Sequence, residues 1–346
     1  MTCPPPAPSD VLALDIGGAN LKAADGTGWT HAEPFAMWRE WERLADAVGK
    51  LVAGRRPRRL VVTMTGEIAD CFPDRAAGVA YIVSAVASAA NAHGCGPADI
   101  YRLDGQFVSP EAAVADPLSV AASNWHAVAR LAAAHAGHDR AFLVDIGSTT
   151  TDIVPLAHRR PAPLASDDAG RMLSGELVYT GVERTPLAAI VRSLPHGTVR
   201  RPIASEKFAE SRDAWLLRGE LTADAASHDT ADGGPFTRAA AHIRIARSML
   251  LEPTAVSPHD ADRAAAWVAE AQARQVARAL ARVARGRGWL PEAVVLSGHG
   301  DQLAQMAVAR MGWTVDLVSL PARLGLAVSR SAPAHALALI ACGGLP

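Results

Sequence analysis

Short, fully apolar runs alternate along this chain with longer stretches whose apolar positions recur every three or four residues. Val11–Ile16, Leu60–Met64, Ile100–Leu103, Ala141–Val144 and Ala293–Leu296 are too short for buried helices and read as buried strands. Further short strands are expected at Leu21–Ala24, Trp29–Glu33, Ile153–Val154 and Trp313–Leu317. Between them, Met37–Val52 carries Trp38, Trp41, Leu44, Ala45, Val48, Leu51 and Val52 at helical spacing and predicts an amphipathic helix. Gly78–Ala92, an Ala-rich stretch at Pro117–Ala136, Pro202–Arg218, Thr237–Leu251, Asp260–Arg285, Leu303–Ala309 and Ala334–Cys342 complete the helical reading. Strands alternating with helices point to an α/β fold.

The polar turns at the ends of the apolar runs carry the chemistry. Asp145-Ile-Gly-Ser-Thr-Thr-Thr-Asp152 joins two strands through a turn of glycine and hydroxyl residues flanked by carboxylates. Gly147 has no Cβ, so its backbone allows close approach of a ligand. Ser148, Thr149, Thr150, Thr151 and the backbone N–H groups form a concave set of donors suited to phosphate oxygens. Asp145 and Asp152 repel phosphate but suit a hydrated Mg²⁺ that binds it. The same design occurs earlier, at Asp15-Ile-Gly17-Gly18-Ala-Asn20-Leu-Lys22. Two such turns suggest a duplicated domain facing one polyphosphate from both sides.

Three other stretches hold candidate groups. Leu60–Met64 runs into Thr65-Gly66-Glu67-Ile-Ala-Asp70, and polar residues at the carboxyl end of such a strand face the ligand crevice. Glu67 and Asp70 read as general base, metal ligand or substrate contact, or as acids decorating a helix start. Asn124 either lines the crevice or is a polar neighbour of a packed Trp125. Gly170–Pro186 is denser in special residues than a connector needs and reads as a substrate-binding insertion containing Glu176, Tyr179 and Arg184. There Arg184 would clamp an anion and Tyr179 would meet an aromatic acceptor; the other reading is a surface hairpin. Asp232, in a Gly-rich loop, is either a second metal-side carboxylate or a turn former. Finally, Gly298-His299-Gly300 comes after a buried strand and before a helix, a place where a ligand lies against backbone.

Composition narrows the partners. With 34 basic and 35 acidic residues in 346, no global field draws nucleic acid or a membrane surface. An apolar content of 49% suits a globular protein, and no apolar run reaches the roughly 18–20 residues of a membrane span. The proline-rich lead-in over 1–10 has no charged n-region or apolar h-region, so a signal peptide is not expected. Cys3, Cys71, Cys95 and Cys342 form no C-x-x-C pair and suggest reduced thiols in a cytoplasmic protein.

Taken in order, Asp15-Ile-Gly-Gly, Asp145–Asp152 and Ser297-Gly-His-Gly300 resemble the two phosphate loops and the adenosine-side loop of the actin/hexokinase/Hsp70 (ASKHA) superfamily. That resemblance implies two ribonuclease-H-like domains flanking a central cleft, at 11–137 and 138–346. The substrate insertion would lie around 165–235, and the closing helix 334–342 would pack back on the first domain. Met64–Phe72, Asn124-Trp125, Gly175–Gly181 with Arg184-Thr-Pro186, and Thr230-Ala-Asp-Gly233 narrow the match further. With the phosphate loops they resemble the hydantoinase/oxoprolinase-related proteins of the tetrahydromethanopterin-linked C1-transfer pathway, which include methanofuran-biosynthesis synthases. The resemblance implies Mg²⁺-assisted condensation of 5-(aminomethyl)furan-3-ylmethyl diphosphate with the phenol of a γ-glutamyltyramine-type acceptor, releasing diphosphate. Tyrosine or a glutamylated tyrosine is the other acceptor in view. It also implies a metal held through Asp15, Asp145 or Asp152, diphosphate bound by Lys22 and the loops, and Glu67 or Asp70 as base. An ATP-dependent kinase or ligase, and an ATP-switched module without catalysis, are the competing classes. Oligomeric state stays open.

Overall fold

The computed structural model describes residues 10–345; most of the lead-in, Cys3 included, lies outside them. β1 (Val11–Ile16) is buried at every position and turns through Gly17 and Gly18 into β2 (Asn20–Ala24), with Asp15 opposite Lys22. β3 (Thr30–Pro34) pairs with β2, while β4 (Arg59–Met64) lies parallel to β1 on its other side. β5 (Ala98–Tyr101) and β6 (Phe107–Val108) complete a sheet of order β3-β2-β1-β4-β5-β6. The second sheet begins with β7 (Arg140–Ile146) and β8 (Thr151–Ala157), an antiparallel pair that sets Asp145 opposite Asp152. β9 (Arg160–Pro161) and β10 (Leu177–Val178) flank β8, and β11 (Ser193–His196) with β12 (Val199–Pro202) forms a separate hairpin. β13 (Ala293–Gly298) lies parallel to β7 and β14 (Asp316–Ser319) parallel to β13. The order is β10-β8-β7-β13-β14.

The fold is therefore mixed α/β, with one plan used twice: an antiparallel hairpin whose first strand is extended sideways by parallel strands. Asp15 and Asp145 occupy the same penultimate position of that first strand in each sheet. Side-chain alternation divides the core, as period-2 strands require. Leu12, Leu14, Leu60 and Val62 pack under the helices Leu44–Arg55 and Arg75–Ala92. Val11, Ala13 and Val61 share a continuous core with Leu143, Val154 and Val295, filled by the helices Asn124–His135 and Ala332–Ala341. Phe142, Val144, Val294 and Leu296 are covered by Pro258–Arg287 and Asp301–Ala309. A fourth cluster around Leu194, Leu216, Ile245 and Val268 joins the segment that follows β10 to the first half of the long helix. No helix among the described residues is long and apolar enough to cross a membrane.

Several helices differ from the expected bounds, and one difference matters for the site. The Ala-rich stretch is not one helix: Pro117–Ser119 is a 3-10 turn, and the helix proper starts at Asn124. Between them Ala122 adopts φ +49°, a left-handed conformation costly for a residue with a Cβ. An alanine run carries no signal for such a break, since Ala fits either state. Asn124 thus opens a helix instead of sitting within one. Met37–Val52 is likewise interrupted, by a 3-10 turn at Trp41–Arg43, and Pro202–Arg218 is helical only over Ser211–Leu217. The last strand starts at Asp316, not Trp313, and Trp313 packs beside Phe142.

Candidate functional site

The carboxyl ends of β1, β4, β7 and β13 bring four of the sequence motifs to one crevice. Asp15 is buried, its Oδ2 3.6 Å from Lys22 Nζ, and its Oδ1 has no hydrogen-bond partner. Burial pushes its pKa up against the pull of Lys22. Lys22 also faces Asp145, which is pushed up to about 6 by burial and then by the charge of Asp152. Lys22, the Ser297 hydroxyl and His299 pull Asp145 the other way. Asp15, Lys22 and Asp145 therefore link the two hairpin turns through one set of charges.

Both turns leave donors unused. The Gly17 N–H donates to Asn20 O and the Gly147 N–H to Thr150 O, which closes each turn on itself. The N–H groups of Gly18, Ala19, Ser148, Thr149 and Thr150 make no hydrogen bond within the protein, nor do the side chains of Asn20, Ser148, Thr149 and Thr150. A Cβ added to Gly18 would meet nothing within 4 Å, and one on Gly147 only Thr150 O at 3.8 Å, so the space in front of both is open. Unpaired donors around an open concavity suit an anion. Among the described residues no group of three or more His, Cys, Asp or Glu is arranged to hold a metal. A hydrated Mg²⁺ needs only one or two carboxylates plus substrate oxygens. The orphaned Asp15 Oδ1 and the Asp145 carboxylate fit that requirement.

Glu67 forms the second centre. It is 1% exposed, directly after β4, and neither Oε accepts a hydrogen bond of ordinary geometry. Burial pushes its pKa up to about 7, opposed by its own N–H, by Arg75 and by the Ala122 N–H, and reinforced by Asp168. That N–H belongs to the residue at the left-handed turn. Gly78 permits the tight packing of Arg75–Ala92 here, since a Cβ would lie 2.2 Å from Glu67 O. Tyr179 is 55% exposed and lies among Glu67, Arg75, Asp152 and Asp168. Asp70, by contrast, is exposed on the following turn. Asn124 is half-buried, and its side chain has no partner within the protein.

Other predicted groups are engaged in holding the fold. Asp152 is ion-paired at 2.9 Å with Arg171, a buried guanidinium that also stacks 4.0 Å over Trp125 and donates to Glu176 O. Sequence reasoning misses Arg171, because an arginine in a polar segment carries no sign that it will be buried. The Thr151 hydroxyl is buried and donates to Thr180 O at 2.7 Å, so it does not face a ligand. Glu176 accepts from Leu164 N, Ala165 N and Ser174 Oγ, which makes it a loop anchor instead of a substrate contact. Asp232 caps its own turn at Gly234 N and pairs with Arg244 and Arg247, the turn-former reading and not the metal-side one. Arg184 stacks 4.8 Å over Trp38 from the other half of the chain, and no carboxylate pairs with it. In the loop after β13 the N–H groups of His299 and Gly300 both donate to Ile146 O, so they are not free for phosphate. Gly298 lets that loop close, having φ +85° and a Cβ position 2.2 Å from Ile146 O. His299 Nε2 lies 3.1 Å from Glu183.

The division between binding and structural hydroxyls is testable. Thr151→Val is expected to cost about 1–3 kcal/mol of stability by stranding Thr180 O, read by thermal melting. Its affinity for inorganic diphosphate should stay unchanged, whereas Thr150→Val should weaken that affinity and leave the melting temperature alone.

A family model for hydantoinase/oxoprolinase matches residues 58–341. A Methanocaldococcus jannaschii protein named (4-{4-[2-(gamma-L-glutamylamino)ethyl]phenoxymethyl}furan-2-yl)methanamine synthase is 32% identical over 226 residues. The match covers 64% of this chain and 66% of that relative, just short of two-thirds of its length. A Methanococcus vannielii protein of the same name is 26% identical over 200 residues, covering 57% of this chain and 89% of its own. Among solved structures, a glucokinase of the ROK family from Streptomyces griseus shares 13% identity at a TM-score of 0.46 over 95% of this chain and 97% of its own. Nucleotide-free acetone carboxylase shares 14% at 0.47, over 92% of this chain and 51% of its own.

Proposed function

Because the chain belongs to the hydantoinase/oxoprolinase family, we propose that it is a transferase of methanofuran-type cofactor biosynthesis. It joins 5-(aminomethyl)furan-3-ylmethyl diphosphate to the phenol of a tyramine- or tyrosine-type acceptor and releases diphosphate. The two sheets act as ribonuclease-H-like domains, and the diphosphate lies where their hairpin turns face each other. The observation that carries this reading is the pairing of two centres: unpaired phosphate donors beside Lys22, and a separate buried carboxylate, Glu67, poised near neutrality. The relatives' printed name supports the choice of substrates.

In this scheme the furan ring stabilises positive charge at its methylene carbon, so the enzyme's main task is to stabilise the leaving group. Lys22 and the open N–H and hydroxyl groups of the two turns hold the diphosphate as the C–O bond breaks and its electron pair leaves with oxygen. Asp15 and Asp145 would hold Mg²⁺, which when bound adds Lewis-acid stabilisation of the departing charge. The phenol, of ordinary pKa about 10, forms the new C–O bond while Glu67 takes its proton. Tyr179 offers an exposed ring edge for the acceptor. Glu67 is preferred over Asp70 because it is the buried carboxylate without a hydrogen-bond partner, and its burial pushes its pKa up to about 7.

The competing reading is an ATP-dependent kinase or ligase using the same turns. The N–H groups of His299 and Gly300 donate to Ile146 O and so are not available to a nucleotide in the third loop. Thermal melting with Mg²⁺ and either ligand separates the two. The furylmethyl diphosphate should raise the melting temperature and ATP should not; stabilisation by ATP together with ATP hydrolysis would favour the kinase or ligase.

A further inference from the structure

Arg75 stands between two carboxylates from opposite sides of the crevice. Its Nη1 is 3.8 Å from Glu67 Oε1, too far for a hydrogen bond, while its Nη2 is hydrogen-bonded to Asp168 Oδ2. Asp168 opens the helix Asp168–Ser174, on the far side of the crevice from β4 and the helix Arg75–Ala92. Released from Asp168, the guanidinium would have an unpartnered, buried carboxylate within reach. A bidentate arginine–carboxylate pair is among the strongest charge-assisted contacts, and it would leave Glu67 a poor proton acceptor. We propose that Asp168 is a positioning residue for Glu67: by taking the Arg75 guanidinium across the crevice, it keeps that cation from closing onto the carboxylate. The catalytic consequence rests on Glu67 being the base in the proposed transfer; the geometry and its test do not.

The groups facing Glu67 are Arg75 on its own half, Asp168 and Tyr179 on the other, and the Ala122 N–H. Removing Asp168 would therefore act in two ways, by taking away its charge and by freeing Arg75. A double-mutant cycle tells them apart. The full-length protein, labelled with ¹³C at the glutamate carboxyl carbon, is titrated by NMR, with the Glu67 resonance assigned by its loss in Glu67→Gln. In wild type it should titrate near pH 7. Asp168→Asn is expected to lower that midpoint by about one to two pH units, and Asp168→Glu to restore it. In an Arg75→Gln background the same Asp168→Asn change should move it by less than half as much. An unchanged midpoint in Asp168→Asn, or equal shifts in both backgrounds, would overturn the positioning role. Because the titration needs no turnover, failure to form the ether leaves this result standing and counts against the proposed reaction alone.

Discussion

Glu67→Gln is expected to lower kcat for ether formation by ~10²–10⁴-fold and, at the same time, to stabilise the protein at alkaline pH. The first effect follows from losing the proton acceptor; the second from losing a buried charge. The folded carboxylate titrates at about 7 instead of the ordinary 4.5. Between those values the folded state binds the proton more tightly than the unfolded chain, so wild-type stability falls as pH rises through that window. Above pH 7 the ionised, buried Glu67 costs on the order of 3 kcal/mol, which glutamine avoids. Melting curves should coincide below pH 4.5 and separate in favour of the variant at pH 8. The wild-type rate should rise with pH to a midpoint near 7, and the variant's residual rate should lack that limb. Equal activity, or a variant less stable at pH 8, would remove Glu67 from the base role.

Asp145→Asn and Asp152→Asn are expected to fail differently, although the sequence treats the two residues alike. Asp145 faces Lys22 without a tight partner, so on the proposed scheme its loss removes a Mg²⁺ ligand and should cost roughly 10³-fold or more in diphosphate release. The protein should stay folded, since burial and Asp152 already disfavour that charge. Asp152 is the partner of buried Arg171, and removing one member of a buried pair costs about 3–5 kcal/mol. Its variant should melt much earlier yet keep, per folded molecule, activity within about tenfold of wild type (one order is ~1.4 kcal/mol). Release kinetics combined with melting curves decide this, and the opposite pattern of losses would exchange the two assignments.

Most of the fold was legible because buried strands write themselves as uninterrupted apolar runs. Val11–Ile16, Leu60–Met64 and Ala293–Leu296 fall in β1, β4 and β13. Both hairpin turns were legible for the same reason, each being polar punctuation between two such runs. Two-residue strands such as β9 and β10 have no periodicity to detect, and the break at Ala122 is invisible in an alanine-rich stretch. Residue type alone also could not separate ligand-facing from structural groups. Thr150 and Thr151 are neighbours with the same side chain, yet Thr151 opens β8 and is buried against Thr180 while Thr150 still belongs to the turn and is left open. Glu67 and Glu176 are both fully buried acids, but Glu176 is satisfied by three donors and Glu67 by none. The roles of Arg75, Asp168 and Arg171 are illegible in the sequence because they depend on contacts between distant segments.

The measurement that bears most directly on the central claim is a mass balance without nucleotide. The purified protein is incubated with the furylmethyl diphosphate, Mg²⁺ and a panel of phenolic acceptors, tyramine, tyrosine and their γ-glutamyl forms. Ether product is followed by mass spectrometry and diphosphate by a coupled assay. One ether formed per diphosphate released, with ATP neither required nor consumed, is the expected result. Diphosphate release without any ether, or ether formation only when ATP is supplied and hydrolysed, would contradict it.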